Sequence, residues 1–131
     1  MILAIRTDQP TAELYLFDKK TKLDSYSWLA HRNLASEILE KIEYLLSKNN
    51  ANMQSLTGII IFTGQGSFTG LRIGTTVANT LAYSYAIPIV SAQGDTWLDD
   101  GLSSIQSQKT SAYVLPEYSS EPNITKPKPK T

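Results

Sequence analysis

The chain contains no cysteine in its 131 residues. That excludes disulfides and thiolate metal sites, and it fits a reducing compartment. It contains a single histidine, His31. No nucleophile and carboxylate are spaced with it, so a helix-start or core role is expected rather than a general base. Net charge of one sign is also missing, with 12 basic and 12 acidic residues. A long electrostatic footprint for nucleic acid is therefore absent. No apolar run approaches the roughly 20 residues needed to cross a bilayer. The opening Met1-Ile2-Leu3-Ala4-Ile5 lacks the basic start and long apolar core of a secretory leader. A cytoplasmic protein with no membrane partner is expected.

What is present fits one ordered domain. Hydrophobic residues make up 41% and charged residues 18%, enough for one core but not two at this length. The first 29 residues hold three strand-like runs: Ile2 to Thr7, Thr11 to Phe17 and Leu23 to Leu29. The polar turn 18–22 separates the last two, which makes an antiparallel meander. Asn33 is a candidate helix cap. Leu34, Ile38, Ile42, Leu45 and Leu46 then fall on one helical face, and Glu37 with Lys41 forms an i,i+4 pair. Asn49-Asn50 ends that helix. A strand at 58–63, a helix at 71–86, a strand at 87–90 and a helix at 92–102 follow, with a last strand expected at 109–115. Residues 116–131 hold four of the six prolines and end Lys126-Pro127-Lys128-Pro129-Lys130. That composition predicts an extended, solvated tail with local positive charge. Residues 1–115 are expected to form a single domain. The element order predicts an α/β fold whose mixed sheet begins antiparallel and continues with parallel strands.

The most informative segment runs from Gly64 to Gly74. Gly64, Gln65, Gly66, Ser67, Phe68, Thr69 and Gly70 link an apolar strand to a helix. Glycines there permit backbone conformations that a Cβ forbids, and they leave the helix's first N–H groups open. No Lys-Ser/Thr follows, so the segment is not a P-loop. Its Gly-x-Gly-x-x-x-Gly spacing is not the dinucleotide pattern either, though the strand–glycine–helix context keeps a phosphate site open as an alternative. Arg72, one turn into the helix, suits an ion pair or a partner contact. Asp8 is a candidate metal ligand, but one carboxylate alone makes a poor magnesium site. Asp99-Asp100 resembles a solvated helix end.

The helix carries a second signal. Gly70, Gly74, Ala78, Ala82 and Ala86 recur every four residues and form one ridge. A glycine within a helix costs about 1 kcal/mol relative to alanine. Such a cost is offset when another element approaches closely. The ridge can pack on the chain's own 34–46 helix or face another subunit. Ile73, Val77 and Leu81 form a neighbouring apolar row.

The segment Gly-Gln-Gly-Ser-Phe-Thr-Gly-Leu-Arg-Ile-Gly resembles the signature of the TsaB (YeaZ) family, with Gln65 where proline is usual. The opening strand, His31 before the 34–46 helix, and Ile87-Pro88-Ile89-Val90 resemble the family's order over roughly residues 1–102. The resemblance implies an actin-like ATPase, ribonuclease H-like subdomain with a mixed five-stranded sheet flanked by helices. It implies a non-catalytic scaffold that binds the TsaD transferase in making threonylcarbamoyladenosine in tRNA. TsaD is the expected partner, with TsaE a further candidate, and tRNA is contacted only through the complex. ATP and magnesium belong to that complex, and no cofactor is expected on this chain alone. Pairing would use the two helices, through Leu34, Ile38, Ile42, Leu45, Gly70, Leu71, Arg72, Gly74, Ala78 and Ala82. A homodimer is expected in isolation. Two departures stand out. Arg6-Thr7-Asp8 replaces the usual Asp-Thr-Ser, and a cation at position 6 cannot ligate magnesium. The chain is also far shorter than its family, and Leu115 to Pro122 resembles the family's extreme C-terminus, so a short connector is expected in place of most of a second subdomain.

Overall fold

The computed structural model describes residues 1–65 and 68–107. Five strands form one mixed sheet among them: β1 (Ile2–Arg6), β2 (Thr11–Asp18), β3 (Thr21–Leu29), β4 (Gly58–Phe62) and β5 (Ile89–Ala92). The spatial order is β3-β2-β1-β4-β5. The first three pair antiparallel, while β4 and β5 join in parallel. Parallel strands need crossovers, and α1 (Leu34–Lys48) and α2 (Phe68–Tyr85) supply returns to β4 and β5. A third helix, α3 (Trp97–Gln106), follows β5.

The central strands β1 and β4 are almost continuously apolar because both faces of the sheet are covered there. On one face Leu3, Ile5, Leu14, Leu16, Ile59 and Ile61 meet α1 and α2. On the other, Ile2, Ala4, Ile60, Phe62 and Val90 meet Trp97 and Leu102 of α3. Gly101 lets α3 approach closely, since a Cβ there would lie 2.5 Å from Ile60 Cγ2. Towards β3 the second face opens, and Ser25 and Ser27 are exposed.

Several boundaries differ from the sequence expectation. The α2 helix begins at Phe68, three residues early, so Thr69 and Gly70 lie in its first turn. It ends at Tyr85, and Ala86 turns left-handed with φ 53°. There the Ile87 N–H donates to the Ala82 carbonyl at 3.0 Å, a C-terminal closure of the kind glycine usually provides. Strand β5 is displaced to Ile89–Ala92 because Ile89 pairs with Ile59 and Ala92 with Phe62. Ala92 is thus sheet, and α3 starts at Trp97, after a turn at Gly94 with φ 84°. Asn33 precedes α1 without a side-chain cap; Ser36 Oγ donates to its carbonyl at 3.1 Å instead. The Glu37–Lys41 pair is replaced by two other contacts. Glu37 Oε1 accepts from Trp28 Nε1 at 3.1 Å, and Lys41 Nζ lies 5.8 Å from the Tyr26 ring centroid. The strand expected at 109–115 and the tail at 116–131 lie outside the described residues.

Candidate functional site

The end of β1 and the first turn of α2 are tied together. Thr7, buried just past β1, donates its hydroxyl to the Gly70 carbonyl at 2.7 Å. One turn later, a Cβ on Gly74 would overlap Thr7 Oγ1. Gly74 is therefore the close-approach point that the sequence required, and its neighbour is Thr7, just past the end of β1. Ala78 and Ala82 continue the contact and are buried in the same core. From Gly74 to Ala82 the small-residue ridge is thus buried inside the chain's own core, where Gly74 meets Thr7, and Ala86 at its far end is exposed. Leu34, Ile38, Ile42 and Leu45 are also buried within the chain's own core, and so is Leu71. These bulky side chains lie beneath the helices and are not exposed on their outer surface.

The outward side consists of other residues. Ala35 of α1 and Arg72, Ile73, Thr76 and Val77 of α2 line a shallow groove of about 220 Å³. Leu39 is 49% exposed and Tyr83 87% exposed. Only Arg72 of the expected partner residues lies on this open groove, and it has no ion pair among the described residues. Sequence reasoning overlooked Thr76 and Val77 as surface. Val77 lies one residue before Ala78, and Thr76 lies midway between Gly74 and Ala78, two residues from each.

A larger cavity of about 380 Å³ lies at the top of the helices. It brings Thr7 and Gln9 beside His31, Arg32, Thr69 and Gly70. His31 has φ 47° and begins the short 3₁₀ helix His31–Asn33 that leads into α1. No carboxylate is among the described residues that line this cavity. Gly64 is buried at the end of β4, beside the Phe62 ring, whereas Gly66 and Ser67 lie outside the described residues.

On the opposite face of the sheet, Arg6 clasps Asp8 in a two-pronged bond. Arg6 Nε lies 2.8 Å from Asp8 Oδ1, and Nη2 lies 3.2 Å from Oδ2. The guanidinium stacks on Phe62, 4.0 Å from the ring centroid. The bond to Asp8 is the main cause holding Arg6 above the usual arginine value. Asp8 is buried and its charge is matched, which corrects its candidacy as a free metal ligand. Among the described residues no group of three or more histidine, cysteine, aspartate or glutamate side chains could hold a metal. Nearby, Tyr15 donates to Glu13 Oε1 at 2.7 Å. Burial first, and then that bond, push the phenol up to about 12. Asp99 and Asp100 occupy the first turn of α3, where the helix dipole favours acids. Asp100 Oδ2 also accepts from Thr96 Oγ1 at 2.9 Å.

A five-stranded sheet of this order with helices on both faces is an actin-like, ribonuclease H-like ATPase subdomain. Comparison with known proteins agrees. The family model "TsaD: tRNA N6-adenosine threonylcarbamoyltransferase" matches residues 28–93. The chain is 36% identical over 88 residues to the tRNA threonylcarbamoyladenosine biosynthesis protein TsaB of Bacillus subtilis, across 67% of this chain and 38% of that one. It is 28% identical to the Escherichia coli TsaB over 89 residues, across 68% and 38% of the two chains. The solved structure of YeaZ from Pseudomonas aeruginosa superposes with a TM-score of 0.65 at 25% identity, covering 70% of this chain and 43% of that one. A second solved structure, described as an uncharacterised protein with similarity to the peptidase YeaZ from that organism, matches equally, at a TM-score of 0.65. The chain belongs to the TsaB (YeaZ) family. It spans well under half the length of these TsaB relatives.

Proposed function

We infer that this chain is a non-catalytic subunit that binds and supports the TsaD transferase during threonylcarbamoylation of adenosine in tRNA. The observation that carries this reading is the apolar groove between α1 and α2. Ala35, Ile73 and Val77 lie open there above a fully packed helix–sheet core. A groove of this kind suits a second pair of helices, as in a four-helix bundle. The Arg6–Asp8 clasp supports a non-catalytic role, because the acid next to β1 already has a cation. ATP and magnesium are then used by the assembled complex. tRNA is contacted through the complex, TsaE is a further candidate member, and the setting is the cytoplasm. In isolation the same helices are expected to close a homodimer.

Co-purification with TsaD from the same cell, with and without this chain in a tRNA modification assay, tests the reading. Capture of TsaD together with dependence of the activity on this chain is the expected result. A transferase that neither binds the chain nor needs it sinks the idea.

One observation favours a second reading, a nucleotide site at the Gly64–Gly70 loop. The 380 Å³ cavity places Arg32 and Thr69 beside the first turn of α2, where an anion is favoured. Titration with ATP, ADP and NAD, followed by melting temperature, decides it. A rise of several degrees that disappears in Gly66→Val would support that reading.

A further inference from the structure

The face of the sheet that carries α3 is only half covered among the described residues. The helix runs along β4: Trp97 meets Phe62, Gly101 lies against Ile60, and Ile105 reaches Gly58. It therefore ends beside Gly58 and Ile2, where β1 begins. Towards β3 the same face is bare. Across β2 and β3, Glu13 pairs with Ser27 and Tyr15 pairs with Ser25. The two small serines leave a hollow of about 250 Å³ beside the larger side chains, lined also by Thr11. Leu29 continues the Ser25–Ser27 row of β3 and is 63% exposed. Hydroxyls next to an uncovered leucine suit a segment with apolar side chains and a backbone that needs hydrogen-bond partners.

The chain itself supplies a segment of that kind. Lys109-Thr110-Ser111-Ala112-Tyr113-Val114-Leu115 follows shortly after α3. From Ile2, a path by way of Ala4 and Tyr15 to Ser25 crosses two strand spacings and covers about 12 Å. Residues 108–115 reach about 26 Å when extended, twice what that path needs. We propose that residues 109–115 of this chain fold back across the open half of this face and seat in the hollow over Ser25 and Ser27. The hydroxyls of Thr11, Ser25 and Ser27 then meet the segment's backbone polar groups, and Tyr113, Val114 and Leu115 supply apolar contact to Leu29. This face lies on the far side of the sheet from the α1–α2 groove, so capture of TsaD is decided separately.

Because the chain has no cysteine, introduced thiols report without background. In the full chain, Ser27→Cys should react with an alkylating reagent about tenfold more slowly than Thr76→Cys, an exposed position on α2. Adding Val114→Asp and Leu115→Asp should bring Ser27→Cys up to the Thr76→Cys rate. Ser25→Cys combined with Ala112→Cys or with Tyr113→Cys should close an intrachain disulfide in at least one of the two pairs, since neighbouring residues of an extended segment point to opposite sides. Thr76→Cys combined with either should not. Circular dichroism checks that each variant keeps the fold, as expected for the exposed positions 25, 27 and 76. Equal alkylation at positions 27 and 76, or no preference of positions 112 and 113 for position 25 over 76, would overturn the proposal. Protection that survives the two aspartates, or disulfides that form only between chains, would assign the cover to another molecule and overturn it as well.

Discussion

The two faces of the sheet are built differently. The α1–α2 face is aliphatic and closed: Leu3, Ile5, Ile59 and Ile61 pack under Ile38, Ile42, Ala78 and Ala82 with almost no exposure. The α3 face is closed only over β1, β4 and β5, and towards β2 it carries Arg6, Asp8, Glu13 and Tyr15. The first face is held by shape, so it tolerates little change in volume. The second is held partly by paired charges and hydrogen bonds, so it responds to titration and to removal of a partner.

The sharpest break in this comparison is Gly74→Leu. Its side chain would enter the space of Thr7, and stability should fall by about 3 kcal/mol or more. Urea unfolding measures the loss; a variant that folds normally and only loses association would place the ridge outside the core. Next comes Arg6→Leu, which leaves the buried Asp8 carboxylate without its cation. A loss of about 2 kcal/mol is expected, because Arg6 itself is partly exposed. Asp8→Asn in the same background should recover much of it, and failure to do so would argue that the lost packing on Phe62 dominates. A smaller effect follows from Tyr15. Its folded value of about 12 lies above the ordinary value of 10. The neutral phenol's contribution is therefore complete below pH 10 and is lost as pH rises towards 12. Screened by solvent, it amounts to about 1 kcal/mol. Tyr15→Phe should flatten that part of the stability–pH curve, and an unchanged slope would assign it to another group. The smallest effect is expected at Thr76→Asp, on the outward side of α2. Stability should stay within about 0.5 kcal/mol while self-association weakens; a large fall in melting temperature would mean that the groove belongs to the core.

Parts of this arrangement were legible in the sequence because periodicity reports burial. The 34–46 spacing names the residues that α1 buries, and the runs at Ile2–Ile5 and Ile59–Phe62 mark strands covered on both faces. The partner of a buried face is harder to read. Small residues every four positions announce a close approach, but a sheet and a helix satisfy them equally well, and only the tertiary position of Thr7 decides. The Ile87–Val90 run misplaces β5 because apolarity does not encode register, whereas pairing with Ile59 does. The Arg6–Asp8 contact was not available from alternation, because β1 ends at Arg6 and Asp8 lies in the bend beyond it. The α1–α2 groove was hidden for a different reason. Ala35, Thr76 and Val77 are unremarkable in composition and become a groove only when α1 and α2 lie side by side.

The Thr7–Gly70 bond and the Gly74 contact leave no compliant layer between α2 and β1. The same short stretch, Arg6 to Asp8, thus seats α2 through Thr7 on one side of the sheet and holds the Arg6–Asp8 clasp on the other, so a shift in its backbone would disturb both.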